Sequence, residues 1–242
     1  MGTITDKLNK LAETKSAIKT AIINKGVAVS DTDTFASYAN KIASIEGGGT
    51  ATEGIYGVFI YDTNGNLTKP EEWDTANNDL AVGVAVIDEN YAFVIEKTAS
   101  TSTLEWGGHG TEISGIVTTT NKNAAKIDYV GESNTTKIIN QLGSGNAPAA
   151  DYCRGRSCTV NGTTLHGYLG SCGEWQTAYN NKSSIDSALS KIGGTAIATE
   201  SSHWTSTQHS STNAWCLTWG NGVVGGSTKD GSNYVRAFYP LS

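Results

Sequence analysis

Charge is what this chain has least of. Asp, Glu, Lys and Arg make up 17% of its 242 residues, and from Ser201 through Thr228 none of the four occurs. A catalytic centre needs an acid, a base or an orienting group, and this span supplies no carboxylate and no fixed cation. The net charge of −6 divides into +1 over residues 1–46 and −7 over the remainder. Phosphate binding needs clustered Lys and Arg, so an acidic body argues against nucleic acid as a ligand. Long apolar runs are missing as well. The start, MGTITDKLNK, holds none, so neither a secretory signal nor a membrane span is expected, and no membrane insertion. Cys153, Cys158, Cys172 and Cys216 lack the paired spacing of a zinc site and are too few for a disulfide scaffold. Reduced, packed thiols and a Cys153–Cys158 bridge both remain open. Proline is scarce, three against 28 glycines, while Thr, Ser and Asn abound. That balance favours strands joined by many turns.

The first segment carries a helical pattern. Ile4, Leu8, Leu11, Ile18 and Ile22 recur at coiled-coil spacing, with Lys15 interrupting the seam. Thr5 or Asp6 is the expected cap, and Asn24-Lys25-Gly26 the stop. A second helix is expected after Asp31-Thr32-Asp33, with Phe35, Tyr38, Ile42 and Ile45 on one face. Neither helix buries its stripe alone. Residues 1–46 therefore read as a helical oligomerisation stalk, assembling three copies in preference to two. Residues 47–53, rich in Gly and Thr, read as a linker.

From residue 54 to 242 the pattern is that of a single domain. Strands are expected at Ile55–Tyr61, Leu80–Ile87 and Tyr91–Ile95, and helices at Ile138–Leu142 and Glu174–Ile192. Trp215, Leu217 and Trp219 alternate as a strand that turns at Gly220-Asn221-Gly222 and resumes as Tyr234–Tyr239, a hairpin with a long connecting loop. The fold class is α+β, with helices outside a mainly antiparallel sheet.

The last forty residues interleave two kinds of position. Trp204, Gln208, Trp215, Leu217, Trp219, Val235 and Phe238 read as a fixed frame, the three tryptophans as its scaffold. Among them, over about residues 201–235, lie His203, His209, Thr212, Asn213, Cys216, Thr218, Gly220, Asn221, Val223, Gly225, Gly226, Ser227, Thr228, Asp230, Gly231 and Asn233. A rigid aromatic frame carrying small, near-neutral residues is what a contact face needs. His203, His209 and Cys216 are too few and too unsupported for zinc, and Cys216 with a His base has no orienting group. No catalytic residue, metal or cofactor is expected.

The stretches EEWDTANNDLAVGVAVI, GYLGSCGEWQTAYNN, WTSTQHSSTNAW and YVRAFYPL resemble a C-type-lectin-fold variable protein of diversity-generating retroelements, as carried by gut bacteria and their phages. The likeness covers roughly residues 54 to 242 and implies a C-type lectin-like fold. AIINKGVAVSDTDTFASYANKIASI resembles a stalk segment of phage tail and fibre proteins. In that family a retroelement rewrites template adenines, so Asn codons become codons for His, Cys, Gly, Val, Ser, Thr or Asp, never for Lys, Glu, Gln, Met or Trp. The interleaved residues are all reachable in this way; Gln208, Lys229 and the three tryptophans are not. Neither Glu-Pro-Asn nor Trp-Asn-Asp occurs, so the calcium-dependent sugar site of the lectins is unsupported. The expected function is a non-enzymatic phage tail or fibre adhesin binding a bacterial surface protein or glycan, located on the virion or, alternatively, on a bacterial cell surface. A formylglycine-generating-enzyme-like oxidase on the same fold and a structural virion protein are the competing readings.

Overall fold

The computed structural model describes residues 3–24, 29–30, 32–34, 37–38, 55–88 and 91–241. The chain divides into two compact units, Met1–Glu53 and Gly54–Ser242. In the first, helix α1 spans Ile4–Asn24. Its cap is Thr3, two or three residues earlier than expected: the Thr3 amide donates to Asp6 Oδ2 at 2.7 Å and the Asp6 amide to Thr3 Oγ1 at 3.1 Å. This is a reciprocal capping box, and its hydrogen bonds hold the Asp6 carboxyl below its ordinary range. Along the seam Ile4, Leu8 and Leu11 are exposed, whereas Ile22 is buried. Lys15 places its ammonium 5.8 Å from the centroid of the buried Tyr38 ring, a cation–π contact that gives the interrupting lysine a packing role. Lys25, Gly26, Asp31, Phe35, Ile42, Ile45 and the linker 47–53 lie outside the described residues.

The second unit is a mixed α+β body whose strand pairs are antiparallel. Its largest sheet is built from β1 (Gly57–Asp62), β2 (Leu67–Thr68), β3 (Ala81–Ile87), β4 (Ala92–Glu96), β8 (Tyr168–Leu169) and β13 (Ala237–Pro240), in the order β2-β1-β3-β4-β13-β8. β3, AVGVAVI, is buried along its whole length, as the centre of a sheet covered on both faces must be. Two ribbons are smaller: β5 (Leu104–Glu105) with β12 (Ser232–Asn233), and β6 (Ser157–Val160) with β7 (Thr163–His166). The last sheet, ordered β11-β10-β9, contains β9 (Ser202–Gln208), β10 (Asn213–Thr218) and β11 (Val223–Thr228).

Five helices pack on these sheets: α2 (Lys122–Ala125), α3 (Gly131–Leu142), α4 (Pro148–Gly155), α5 (Cys172–Asn180) and α6 (Lys182–Lys191). The single helix expected over Glu174–Ile192 is two. Ser171 and Glu174 form a capping box that starts α5 two residues early. Asn181 then ends it, its amide and side chain turning back to the carbonyls of Ala178 and Thr177. Periodicity reads through this break because Ile185, Ala188 and Leu189 return to the same core as Trp175 and Ala178. The helix expected at Ile138–Leu142 begins earlier, at Gly131.

The expected terminal hairpin is also different. β10 turns directly into β11, while Ala237–Pro240 leaves for the large sheet and sits between β4 and β8. Gly222, at φ 69°, closes the β10–β11 turn, its amide bonded to the Thr218 carbonyl. That conformation suits glycine, and Tyr179 occupies the space any side chain there would need. The four cysteines are free thiols; burial pushes Cys172 up to about 12 and Cys158 up to about 11. Among the described residues, no helix is long and apolar enough to cross a membrane.

Candidate functional site

The three-stranded sheet carries most of the interleaved residues, and its rigidity comes from indole N–H groups. Trp204 Nε1 donates to the Leu104 carbonyl at 2.7 Å and Trp215 Nε1 to the Thr119 carbonyl at 2.8 Å. Trp219 Nε1 donates to Asp186 Oδ1 at 2.9 Å, and Trp106, from outside the sheet, donates to the Thr205 carbonyl at 2.8 Å. Each ring is buried with its one polar atom satisfied. Because neighbouring residues point to opposite faces, β10 sends Trp215 and Leu217 into one core with Trp175 and Trp219, and Ala214 and Cys216 into another with Trp106 and Trp204.

Gln208 and Lys229 meet. Gln208 Oε1 accepts from the Ile113 amide at 3.0 Å and from Lys229 Nζ at 2.7 Å, and its Nε2 donates to Thr118 Oγ1 at 2.7 Å. Lys229 also donates to the Thr111 carbonyl at 2.7 Å and lies 4.5 Å from the Trp106 ring centroid. Burial pulls its ammonium down to about 8. This cross-link ties β9, the end of β11 and the segment 111–118 together through groups with no exposure. A second buried network, which sequence reading missed, centres on Asp128. Its Oδ2 accepts from Asn134 Nδ2 at 2.9 Å and Thr207 Oγ1 at 2.7 Å, while Thr207 Oγ1 accepts from the Cys172 amide at 2.9 Å. Only spatial proximity links Asp128 to Thr207, so no local pattern announces the pair.

All seven frame residues, Trp204, Gln208, Trp215, Leu217, Trp219, Val235 and Phe238, are buried. Of the interleaved set, Gly220, Asn221, Val223, Gly226, Thr228 and Asp230 are exposed. His209, Thr212, Asn213, Thr218, Gly225, Ser227, Gly231 and Asn233 are half-buried. They fall on β10, β11, β12 and the turns beside them, with Thr218, Val223, Gly225 and Ser227 on one face of the three-stranded sheet and Asn213, Gly226 and Thr228 on the other. His203 and Cys216 are different: both are buried and neither reaches the surface. The His203 ring lies between Trp175 and Tyr234, at centroid distances of 5.1 and 5.7 Å. Burial, and then the charge of Arg236, lower His203 to about 4. Cys216 donates to the Gly225 carbonyl at 3.3 Å, and burial raises its thiol. His203 pairs with Leu217 in the sheet, which puts it on the face opposite Cys216. The His209 ring lies tilted against Trp215, centroids 4.8 Å apart, and covers Gly226. The three side chains do not converge, and among the described residues no three His, Cys, Asp or Glu gather as a metal would require.

A cleft of about 390 Å³ adjoins the β10–β11 turn, lined by Asp186, Ser190, Gly194, Ala196, Ile197 and Thr199. Asp186 is the acceptor of Trp219, and the Thr199 carbonyl accepts from the Gly220 amide at 3.0 Å. The cleft thus lies beside a turn of small residues.

No protein-family model matches the chain, and no curated protein is similar to it in sequence. In fold it is similar to a fimbrial protein from Bacteroides ovatus ATCC 8483, with a TM-score of 0.56 and 13% identity. That likeness covers 75% of this chain and 48% of the other, so the chain spans about half the length of the protein it matches.

Proposed function

We propose that the body is a non-enzymatic binding domain whose β10–β11 face is its contact surface. It would be a C-type-lectin-fold variable protein diversified by a retroelement. The observation that carries this reading is the division of the sheet. Every frame residue is buried and hydrogen-bonded or packed, while the sixteen interleaved residues, His203 and Cys216 excepted, reach the surface. Side chains on such a face change without disturbing the core, and a rigid frame keeps the ordering cost of binding low. The residues that a template Asn codon cannot produce, Gln208, Lys229 and the tryptophans, are all buried.

The target is a bacterial surface protein or glycan, and the setting a phage tail or fibre, with a bacterial cell surface as the alternative. The fold likeness to a fimbrial protein is compatible with either form of surface display. Exposed Ile4, Leu8 and Leu11 on α1 support assembly of three copies through residues 1–46. Joining modest sites raises effective affinity by roughly 10²–10⁴ where geometry permits. Deep sequencing of the gene's 3′ end in a natural population, beside any adjacent near-repeat, tests the reading. Substitutions confined to adenine-matched codons of the exposed positions, with the tryptophans constant, are the expected result. An invariant or uniformly varying 3′ end would overturn it.

A further inference from the structure

A second recess shares no residue with the β10–β11 face or with the cleft beside it. It is a groove of about 390 Å³ between the start of β1, the turn Pro70–Glu72 and the solvent side of α6. Its walls are fixed from behind. Ile185, Ala188 and Leu189 hold α6 in the core, and the buried Trp73 holds the turn. The Glu71 carbonyl of that turn accepts from Lys191 Nζ of α6 at 3.4 Å.

Side chains of two kinds line the groove. Tyr56 and Pro70 supply apolar surface, and Tyr56 is 57% exposed, a large ring to leave in water. Ser183, Ser184 and Ser187 supply hydroxyls. Spacings of three and four residues set them on one face of α6, and all three are exposed. Lys69 and Glu71 add one charge of each sign. Among the described residues, none of these hydroxyl, ammonium and carboxylate groups, that of Tyr56 included, has a hydrogen-bond or ion-pair partner.

That inventory selects a ligand class. The two charges cancel, so neither an anion nor a cation gains a net attraction. Serine hydroxyls both donate and accept, and they match a ligand whose own groups do both. The face of the tyrosine ring is electron-rich and attracts the slightly positive C–H groups of a saturated ring. A pyranose has both features, hydroxyls around its edge and C–H groups on its face. A flat aromatic ligand would use Tyr56 and leave the serines idle.

We propose that this groove is a binding site for a neutral pyranose, stacked on Tyr56 and hydrogen-bonded to Ser183, Ser184 and Ser187. Its volume lies in the range of small-ligand sites. None of its residues belongs to the interleaved set, so the site stands or falls independently of the function proposed above.

Saturation-transfer NMR on the full-length chain tests it, with methyl glycosides of glucose, mannose and galactose as neutral probes and methyl glucuronide as the charged one. At least one neutral glycoside is expected to bind at millimolar concentration, its ring protons receiving the saturation. Tyr56→Ala is expected to weaken that binding roughly fivefold or more, and Tyr56→Phe to preserve it because the ring face remains. The Ser184→Ala, Ser187→Ala double variant is expected to weaken it as well. Unchanged melting in all three variants, expected at exposed positions, establishes that they fold. No transfer to any neutral glycoside, or equal binding by Tyr56→Ala, would overturn the site. Tighter binding of the glucuronide would overturn the choice of a neutral ligand. Val223→Asp, on the β10–β11 face, is expected to change nothing; loss there and not at Tyr56 would put the sugar on that face and remove this site.

Discussion

β9 and β11 are the two flanks of one small sheet, yet they are built on opposite rules. β9, SHWTSTQ, is polar in composition and almost wholly buried. Its hydroxyls and amide are consumed by Trp215, Asp128, Thr118 and Lys229. β11, VVGGST, is less polar and mostly in contact with solvent, Val224 alone being fully inside. The lesson is that hydrophobicity does not sort these strands. Satisfaction of polar groups does: β9 is interior because its threonine hydroxyls, its indole and its Gln208 amide have partners, His203 Nδ1 being the exception, and β11 is surface because two glycines give it nothing to bury.

Substitutions should separate the flanks sharply. The largest effect is expected on the buried side, where Trp204→Ala removes a fully enclosed ring and orphans the Leu104 carbonyl. A loss of about 4 kcal/mol in urea-induced unfolding is expected. A fall below about 1 kcal/mol would mean that the β9 core is looser than its contacts indicate.

Next comes a dependence on pH. His203 is held down at about 4 by burial, so the unfolded chain takes up a proton near 6.5 while the folded chain does not. The associated stability is complete above 6.5 and is lost as pH falls toward 4, by about 3 kcal/mol. Glu174 has the opposite sign. Burial raises it to about 7, so its contribution is complete below 4.5 and is lost as pH rises toward 7. The two slopes oppose each other between 4.5 and 6.5. Relative to wild type, His203→Gln should therefore gain stability on acidification and Glu174→Gln should gain it on approaching neutrality. Parallel unfolding curves for the variants and wild type across that window would contradict both assignments.

The smallest effects are expected on the exposed side. Thr228→Ala and Gly225→Ser should each stay within about 0.5 kcal/mol of wild type, because neither site is enclosed. A change as large as that at Trp204 would erase the distinction between frame and face.

Much of this division is legible in the sequence. The seven frame positions stand out because large residues, aromatic and aliphatic with Gln208 among them, are interleaved with small ones, and all seven are interior. The α+β class and the strands near residues 57, 81 and 92 follow from β-branched runs bounded by turns. β9 is not legible, since its burial depends on Asp128 and Lys229, which reach it from distant segments. Nor is β11, where two adjacent glycines interrupt any alternation and suggest a loop. His203 reads as a surface residue by polarity, but Trp175 and Tyr234 enclose it from elements far away in sequence. Thr3 escapes notice as a cap because Thr5 and Asp6 are equally good candidates by residue type.

The tryptophan anchors have one further consequence. Trp204, Trp215 and Trp106 fasten to main-chain oxygens of Leu104, Thr119 and Thr205, and of these four sheet anchors Trp219 alone depends on a side chain, that of Asp186. A carbonyl is common to all twenty amino acids. Positions 104 and 119 are therefore free to drift through evolution without unfastening the sheet, whereas 186 is not, and the lineage of this domain has most of its moorings tied to something mutation cannot remove.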